Sequence, residues 1–164
     1  MIIYRFSAVF LLLAGCAASP VELGRAEPEQ ARAIGEEFCA AAGQRDEARA
    51  ERLMTSALRA AIADLRRFDS AWRARNPGHK PPLADGLRLT AFPDSARSCV
   101  PEAATSGGVT LVYRPKGSAD GAWKDRLILV RAPDGRLLVS DIRYDGAVGG
   151  ALRSWITEAR RTKG

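Results

Sequence analysis

Residues 126–144, RLILVRAPDGRLLVSDIRY, decide the fold. Pro133-Asp134-Gly135 separates two runs rich in Leu, Ile and Val, and such punctuation marks a hairpin whose three-residue loop ends on a left-handed glycine. In that geometry Ala132 faces Arg136. Counting back along both arms predicts Leu129 opposite Val139, Leu127 opposite Asp141 and Asp125 opposite Arg143. Because side chains alternate along a strand, one face would carry Trp123, Leu127, Leu129, Leu137 and Val139. The other would carry Ile128, Val130, Leu138, Ile142 and Tyr144. Both faces are then apolar, which predicts a second cover or a partner subunit over the sheet.

Working outward, further β-rich stretches at 87–92, 97–104, 109–115, 122–132 and 136–145 are bounded by SGG, KGSADG and PDG. Consecutive short strands with tight turns predict a meander. The segment before them has helical spacing. Glu27-Pro28-Glu29 places proline and acids at a helix start, Ile34, Phe38 and Ala41 follow on one face, and Gly43 can end it. A second helical stretch runs through RDEARAERLM. Thr55 or Ser56 can cap a third, with Leu58, Ile62, Leu65 and Trp72 on one arc and Asn76-Pro77-Gly78 as its stop. VGGALRSWITEARR gives a closing helix with Leu152, Trp155 and Ile156 together. The expected class is α+β: N-terminal helices packed on a curled antiparallel β-meander, with a C-terminal helix.

The first residues read differently. Arg5 followed by an apolar segment from Phe6 to Ala14 has the layout of an export signal, and is too short for the roughly 20 apolar residues of a bilayer span. Leu13-Ala14-Gly15-Cys16 resembles the lipobox of bacterial lipoproteins. The resemblance implies a signal peptide over 1–15, cleavage after Gly15, and acylation of the Cys16 sulfur and of the new amino group. Ala17, where an aspartate would favour inner-membrane retention, points to the outer membrane, with the protein facing the periplasm. Residues 16–27, with small residues and Pro20, read as a lipidated cysteine and tether, and 28–162 as a single domain.

With 46% hydrophobic and 27% charged residues the chain is globular. Its net charge of +6 includes Arg5, so the part from Cys16 onward carries 6 minus 1, or +5. An exported basic protein is directed away from nucleic acid and toward lipid phosphates or acidic polymers. With Cys16 committed to lipid, Cys39 and Cys99 remain in an oxidising compartment, which predicts a disulfide between them. The alternative is two buried free cysteines. A single histidine and a paired thiol set leave no structural metal site, and no cofactor motif is present.

Helices followed by a curled meander, together with NPGHKPPLADG, AWKDRLILVR and LLVSDIRYDGA, resemble the nuclear-transport-factor-2-like superfamily. The resemblance covers roughly residues 28–160. It implies a cone pocket between sheet and helices and dimers through the sheet, and it is closer to small exported bacterial lipoproteins than to catalytic members. Those catalytic members place a carboxylate base and tyrosine-type donors in the cone.

Candidate chemistry is sparse. Asp141, set among apolar residues, could act as a general base, or could instead pair with an arginine such as Arg131 or Arg143 or sit at the rim. His79 stands in a proline loop without a nucleophile motif nearby, and Tyr113 and Tyr144 read as core or cone-lining residues. Arg59, Arg66 and Arg73, seven apart, form either a phosphate-facing stripe or a solvated helix flank. Two functions follow. One is a non-catalytic envelope lipoprotein that binds a small apolar ligand or a protein partner, as a homodimer through the sheet or otherwise. The other is a cone-pocket enzyme, an isomerase or hydrolase, with Asp141 as base.

Overall fold

Pro28, expected near the start of the first helix, lies well inside it. A computed structural model of the chain describes residues 20–94, 96–115, 121–145 and 149–162, with the backbone alone for 20–26 and 162. Cys16 and the lipobox lie outside the described residues. Helices α1 (Pro20–Gln44), α2 (Glu47–Arg52) and α3 (Ser56–Arg75) precede strands β1 (Ala96–Thr105), β2 (Gly108–Pro115), β3 (Trp123–Arg131) and β4 (Leu137–Tyr144), and α4 (Leu152–Thr162) follows. The strands form one antiparallel sheet in the order β1-β2-β3-β4. The α+β class and the meander therefore stand, while residues 20–27, expected as tether, already belong to α1.

Local chemistry explains these limits. Asp46 caps α2 by accepting from Arg49 N at 2.9 Å, and Thr55 caps α3 by accepting from Leu58 N at 3.2 Å. In α1, Ala31, Phe38 and Ala41 are fully buried. Gly35 shares their face, and a Cβ there would lie 3.0 Å from Val109 and 3.1 Å from Pro101. The missing side chain thus lets α1 run close across β1 and β2. Along α3, Leu58, Ile62, Leu65 and Trp72 face the core at helical spacing. The α2–α3 junction also covers part of the β4 edge, since Thr55 N donates to Val139 O at 2.9 Å and Val139 N to Leu53 O at 2.8 Å. The opposite edge strand, β1, holds Pro101 and two register shifts, features that discourage strand addition.

The decisive hairpin closes as its turn residues demand: Gly135 has φ +85°, and Ala132 N donates to Arg136 O at 2.8 Å. Leu129 faces Val139 as expected. Beyond that pair the expected register fails, because Ser140 is an extra residue between Val139 and Asp141. Asp141 faces Ile128 rather than Leu127, and Asp125 faces Tyr144 rather than Arg143. A one-residue insertion in a structure of period two moves every later side chain to the other face. Ile142 and Tyr144 consequently join the core at 0% and 6% exposure. The outer face is left with Ile128, Val130 and Leu138 among Lys124, Arg126 and Arg143, which corrects the expectation of two equally apolar faces.

The stretch 87–92, expected as a strand, pairs with none. Leu87, Leu89 and Ala91 are buried, so the apolar alternation is real, but side chains from other elements hold its backbone. Leu87 N donates to Glu47 Oε1 at 2.8 Å, Ala91 N donates to Asp125 Oδ2 at 3.0 Å, and Tyr144 Oη donates to the Arg88 carbonyl at 2.5 Å. The segment is a strap laid over the inner face of the sheet.

Candidate functional site

Beside this strap lies a cavity of about 630 Å³. Its walls are the C-terminal end of α1, the strap and its flanks from Ala84 to Asp94, and the start of β1, with Tyr113 of β2 facing it. Ala40, Ala42, Leu87, Leu89 and Ala96 make much of the wall apolar, and Gln44, Arg45, Glu47, Asp94 and Arg97 supply polar groups. Arg45 pairs with Asp94 at 3.5 Å, and Glu47 is held by Leu87 N and by Arg66 at 2.7 Å.

Cys39 and Cys99 both line the cavity and are joined by a disulfide, with their Cα atoms 5.3 Å apart. The predicted bridge is therefore present, and it ties α1 to β1 where the cavity begins. Cys99 stands opposite Tyr113 in the β1–β2 ladder, so the bridge also borders the cavity's most buried polar group.

Tyr113 is 1% exposed, and its hydroxyl makes no well-formed hydrogen bond among the described residues, with the Thr90 hydroxyl and the Asp125 carboxylate as polar neighbours. Its ring stacks on Trp123 with centroids 5.5 Å apart and planes 9° from parallel, and Phe92 meets Trp123 edge-on at 5.3 Å. Trp123 Nε1 in turn donates to Thr90 Oγ1 at 3.0 Å, which places a second cavity-lining hydroxyl beside Tyr113. Burial pushes the Tyr113 hydroxyl far above the ordinary tyrosine range, the nearby Asp125 carboxylate adds to that, and the adjacent Thr90 hydroxyl acts in the opposite direction. Tyr113 is thus a neutral hydroxyl at any ordinary pH.

Asp125 is the buried acid that the expected register concealed. It is 1% exposed, and burial raises its pKa, with hydrogen bonds from Thr90, Ala91 N and Asp145 N acting in the opposite direction. Period-two alternation alone sets it between Trp123 and Leu127 on the inward face, a signal present in WKDRLIL. It lies behind Thr90, outside the cavity wall.

The residues singled out from sequence fall elsewhere. Asp141 does not line the cavity. Its Oδ1 accepts from Ile142 N at 2.9 Å and from Arg153 N at 3.2 Å, so it caps the first turn of α4 instead of pairing with Arg131 or Arg143. The α3 arginines are engaged within the fold: Arg59 donates to Met54 O, Arg66 to Glu47 and Glu51, and Arg73 to Asp69. Asp69 is itself buried and holds Leu83 N at 2.7 Å. His79 is exposed and packs edge-on against Trp72 at 6.4 Å. Among the described residues no cluster of His, Cys, Asp and Glu is placed to hold a metal, and no helix is long and apolar enough to cross a membrane.

No family model matches this chain, and comparison with curated proteins and with solved structures gives no match either.

Proposed function

We propose that the chain is a lipid-anchored envelope protein of the non-catalytic binding type, whose cavity takes a small ligand with an apolar body and one hydrogen-bond acceptor. The observation that carries this reading is the cavity of about 630 Å³, which Tyr113 and Thr90 line and in which the buried Tyr113 hydroxyl makes no well-formed hydrogen bond among the described residues. A buried hydroxyl left without a partner costs about 1–3 kcal/mol, and an acceptor on a bound ligand removes that cost. The volume suits a drug-sized molecule, and apolar walls with a few placed polar groups are the usual makeup of such sites.

Helices before an antiparallel meander are the element order of the nuclear-transport-factor-2-like superfamily that the sequence resembles, while the cavity itself lies among α1, the strap and the start of β1. The non-catalytic reading draws support from the two acids. Asp141 caps a helix, and Asp125 anchors the strap from behind the cavity wall. A general base must come within hydrogen-bond reach of its substrate; neither of these two acids borders the cavity, and the acids that do, Glu47, Asp85 and Asp94, are paired with Arg66, Lys80 and Arg45. The lipobox supplies the anchor, since more than one acyl chain gives stable membrane attachment.

Binding is tested by calorimetric titration of acetonaphthone, an apolar ring system bearing one carbonyl, into the parent protein and Gly43→Trp. Gly43 lines the cavity, and a Cβ there meets nothing within 4 Å, so a side chain can start there without a clash. Saturable binding to the parent and its loss in Gly43→Trp are expected. Absence of binding, or equal binding by both proteins, removes the cavity reading. Detergent-phase partitioning of the parent and of Cys16→Ser tests the anchor separately, with only the parent expected in the detergent phase.

A further inference from the structure

The two ends of the cavity differ in charge. Its floor holds the buried Tyr113 hydroxyl, neutral and near the Asp125 carboxylate, and its mouth carries the exposed Arg45, Asp94 and Arg97. Each arginine stands where the backbone is exceptional. Arg97 is the extra residue of a bulge in β1, left without a ladder partner between the pairs Ala96–Pro115 and Ser98–Arg114, and bulges re-aim side chains beside functional sites. Arg45 follows the last residue of α1 with φ +54°, at the stop position that glycine usually fills. That left-handed backbone disfavours any residue with a Cβ, and such outliers gather at functional sites. The charges around the mouth are not balanced alike. Glu47 is held by Arg66 and Asp85 by Lys80, each at 2.7 Å. Arg45 meets Asp94 at 3.5 Å, but their side chains are 76% and 83% exposed, and so open a pair holds its partners weakly. Arg97 makes no ion pair among the described residues. The C-terminal end of α1 brings carbonyl dipoles to the same mouth, but Ala41 O and Ala42 O already accept from Asp46 N at 2.9 Å and Arg45 N at 3.2 Å.

We propose that the cavity takes an apolar carboxylic acid as its anion, with the carboxylate held by the Arg97 guanidinium at the mouth, a neutral acceptor at Tyr113 and the apolar body against Ala40, Ala42 and Leu89. This rests on the cavity reading above and names the chemical class of its ligand. A planar guanidinium binds a carboxylate through two parallel N–H···O bonds, and Arg97 has no carboxylate of its own to occupy those donors. Arg45, weakly held by Asp94, adds a second positive charge beside it. The anion belongs at the mouth and the neutral acceptor at the floor, because the Asp125 carboxylate repels negative charge near Tyr113. A cationic ligand is a poor occupant, since the acids at the mouth already have partners and Arg97 would repel it.

Calorimetric titration of the full chain at neutral pH uses two probes of one shape, one charged and one neutral. They are acetonaphthone extended by a propanoate chain on its far ring, and the methyl ester of that acid. The parent should bind the acid roughly 10-fold more tightly than the ester, and added salt should narrow the gap. In Arg97→Gln the gap should fall to about 2-fold, the residue of the exposed Arg45 charge, while the ester binds as it does to the parent and so shows the cavity intact. Arg160→Gln, which removes the same charge from an exposed position outside the cavity, should keep the full gap. Equal binding of acid and ester by the parent, a gap unchanged in Arg97→Gln, or an equal narrowing in Arg160→Gln overturns the carboxylate and leaves the cavity reading in place. Binding of acetonaphthone without either extended probe does the same. A parent that binds none of the three compounds removes the cavity reading, and this inference with it.

Discussion

Ala91 donates its backbone N–H to Asp125 Oδ2 at 3.0 Å, and this bond joins the strap to the middle of β3. Both groups are buried, and the strap has no strand partner to satisfy its donors. Removing the acceptor leaves a buried N–H unpaired, at a cost of about 1–3 kcal/mol. Asp125→Ala should therefore lower stability by that amount in denaturant titrations, and weaken ligand binding only through a looser strap.

The pH dependence has a definite sign. Burial raises the Asp125 pKa in the folded protein above its unfolded value of about 3.9, so the folded state holds the proton more tightly. The resulting stabilisation is fully present below the unfolded pKa and is lost as pH rises through the folded one. Asp125→Asn keeps an acceptor for Ala91 and does not titrate. The stability of the variant relative to the parent should accordingly improve from about pH 3 toward neutrality. A difference independent of pH would show that the two states bind the proton equally.

Asp141 should behave as a cap. Its Oδ1 accepts from Arg153 N in the first turn of α4, where an acceptor is worth roughly 0.5–2 kcal/mol. Asp141→Ala should lose that amount in thermal melts, while Asp141→Asn, which keeps the acceptor and loses the charge–dipole part, should lose less. Ligand binding should persist in both. A fully stable Asp141→Asn protein without activity would restore the general-base reading.

The hairpin shows how far the residues could be read. Pro133-Asp134-Gly135 announces its turn through residues that only that turn favours, and Leu129 opposite Val139 follows by counting. Nothing marks Ser140 as a bulge, since a residue at such a position needs no unusual conformation to signal itself. Asp125 is legible by alternation, but the unshifted register sets it opposite Arg143, which hides its burial. The strap reads as a strand for a related reason. Leu87, Leu89 and Ala91 alternate as a half-buried strand does, but carboxylates distant in sequence occupy two of its donors. The cavity was out of reach because its walls come from α1, the strap and β1, and no local pattern reports a space among three elements.

The Cys39–Cys99 bridge spans 60 residues and includes α2, α3 and the strap within its loop. Loss of such a bridge from a small domain costs about 2–5 kcal/mol, so Cys39→Ser with Cys99→Ser should melt earlier by a margin of that size. Because both cysteines line the cavity, the variant should also bind acetonaphthone more weakly even at temperatures where it is folded. Peptide mapping without reduction checks the bridge directly: full alkylation of both thiols in native oxidised protein would exclude it.

Tyr113→Phe separates a ligand-facing hydroxyl from a merely structural one. A buried hydroxyl that stabilises a fold does so through a partner, and its removal then costs stability. The Tyr113 hydroxyl makes no well-formed hydrogen bond among the described residues beyond its contact with Thr90, and the ring packing on Trp123 survives in phenylalanine. The free variant should therefore be as stable as the parent, or more stable by up to about 1 kcal/mol. Binding should respond in the opposite direction. A ligand carbonyl that accepts from this hydroxyl gains about 0.5–1.5 kcal/mol, so the parent should prefer acetonaphthone over isopropylnaphthalene, its hydrocarbon counterpart, by roughly 2- to 10-fold. In Tyr113→Phe that preference should vanish while the hydrocarbon binds as before. Calorimetry with the two compounds on the two proteins closes the cycle. An unchanged preference in the variant would show that the hydroxyl does not meet the ligand, and a marked loss of stability would show that its partner lies within the protein.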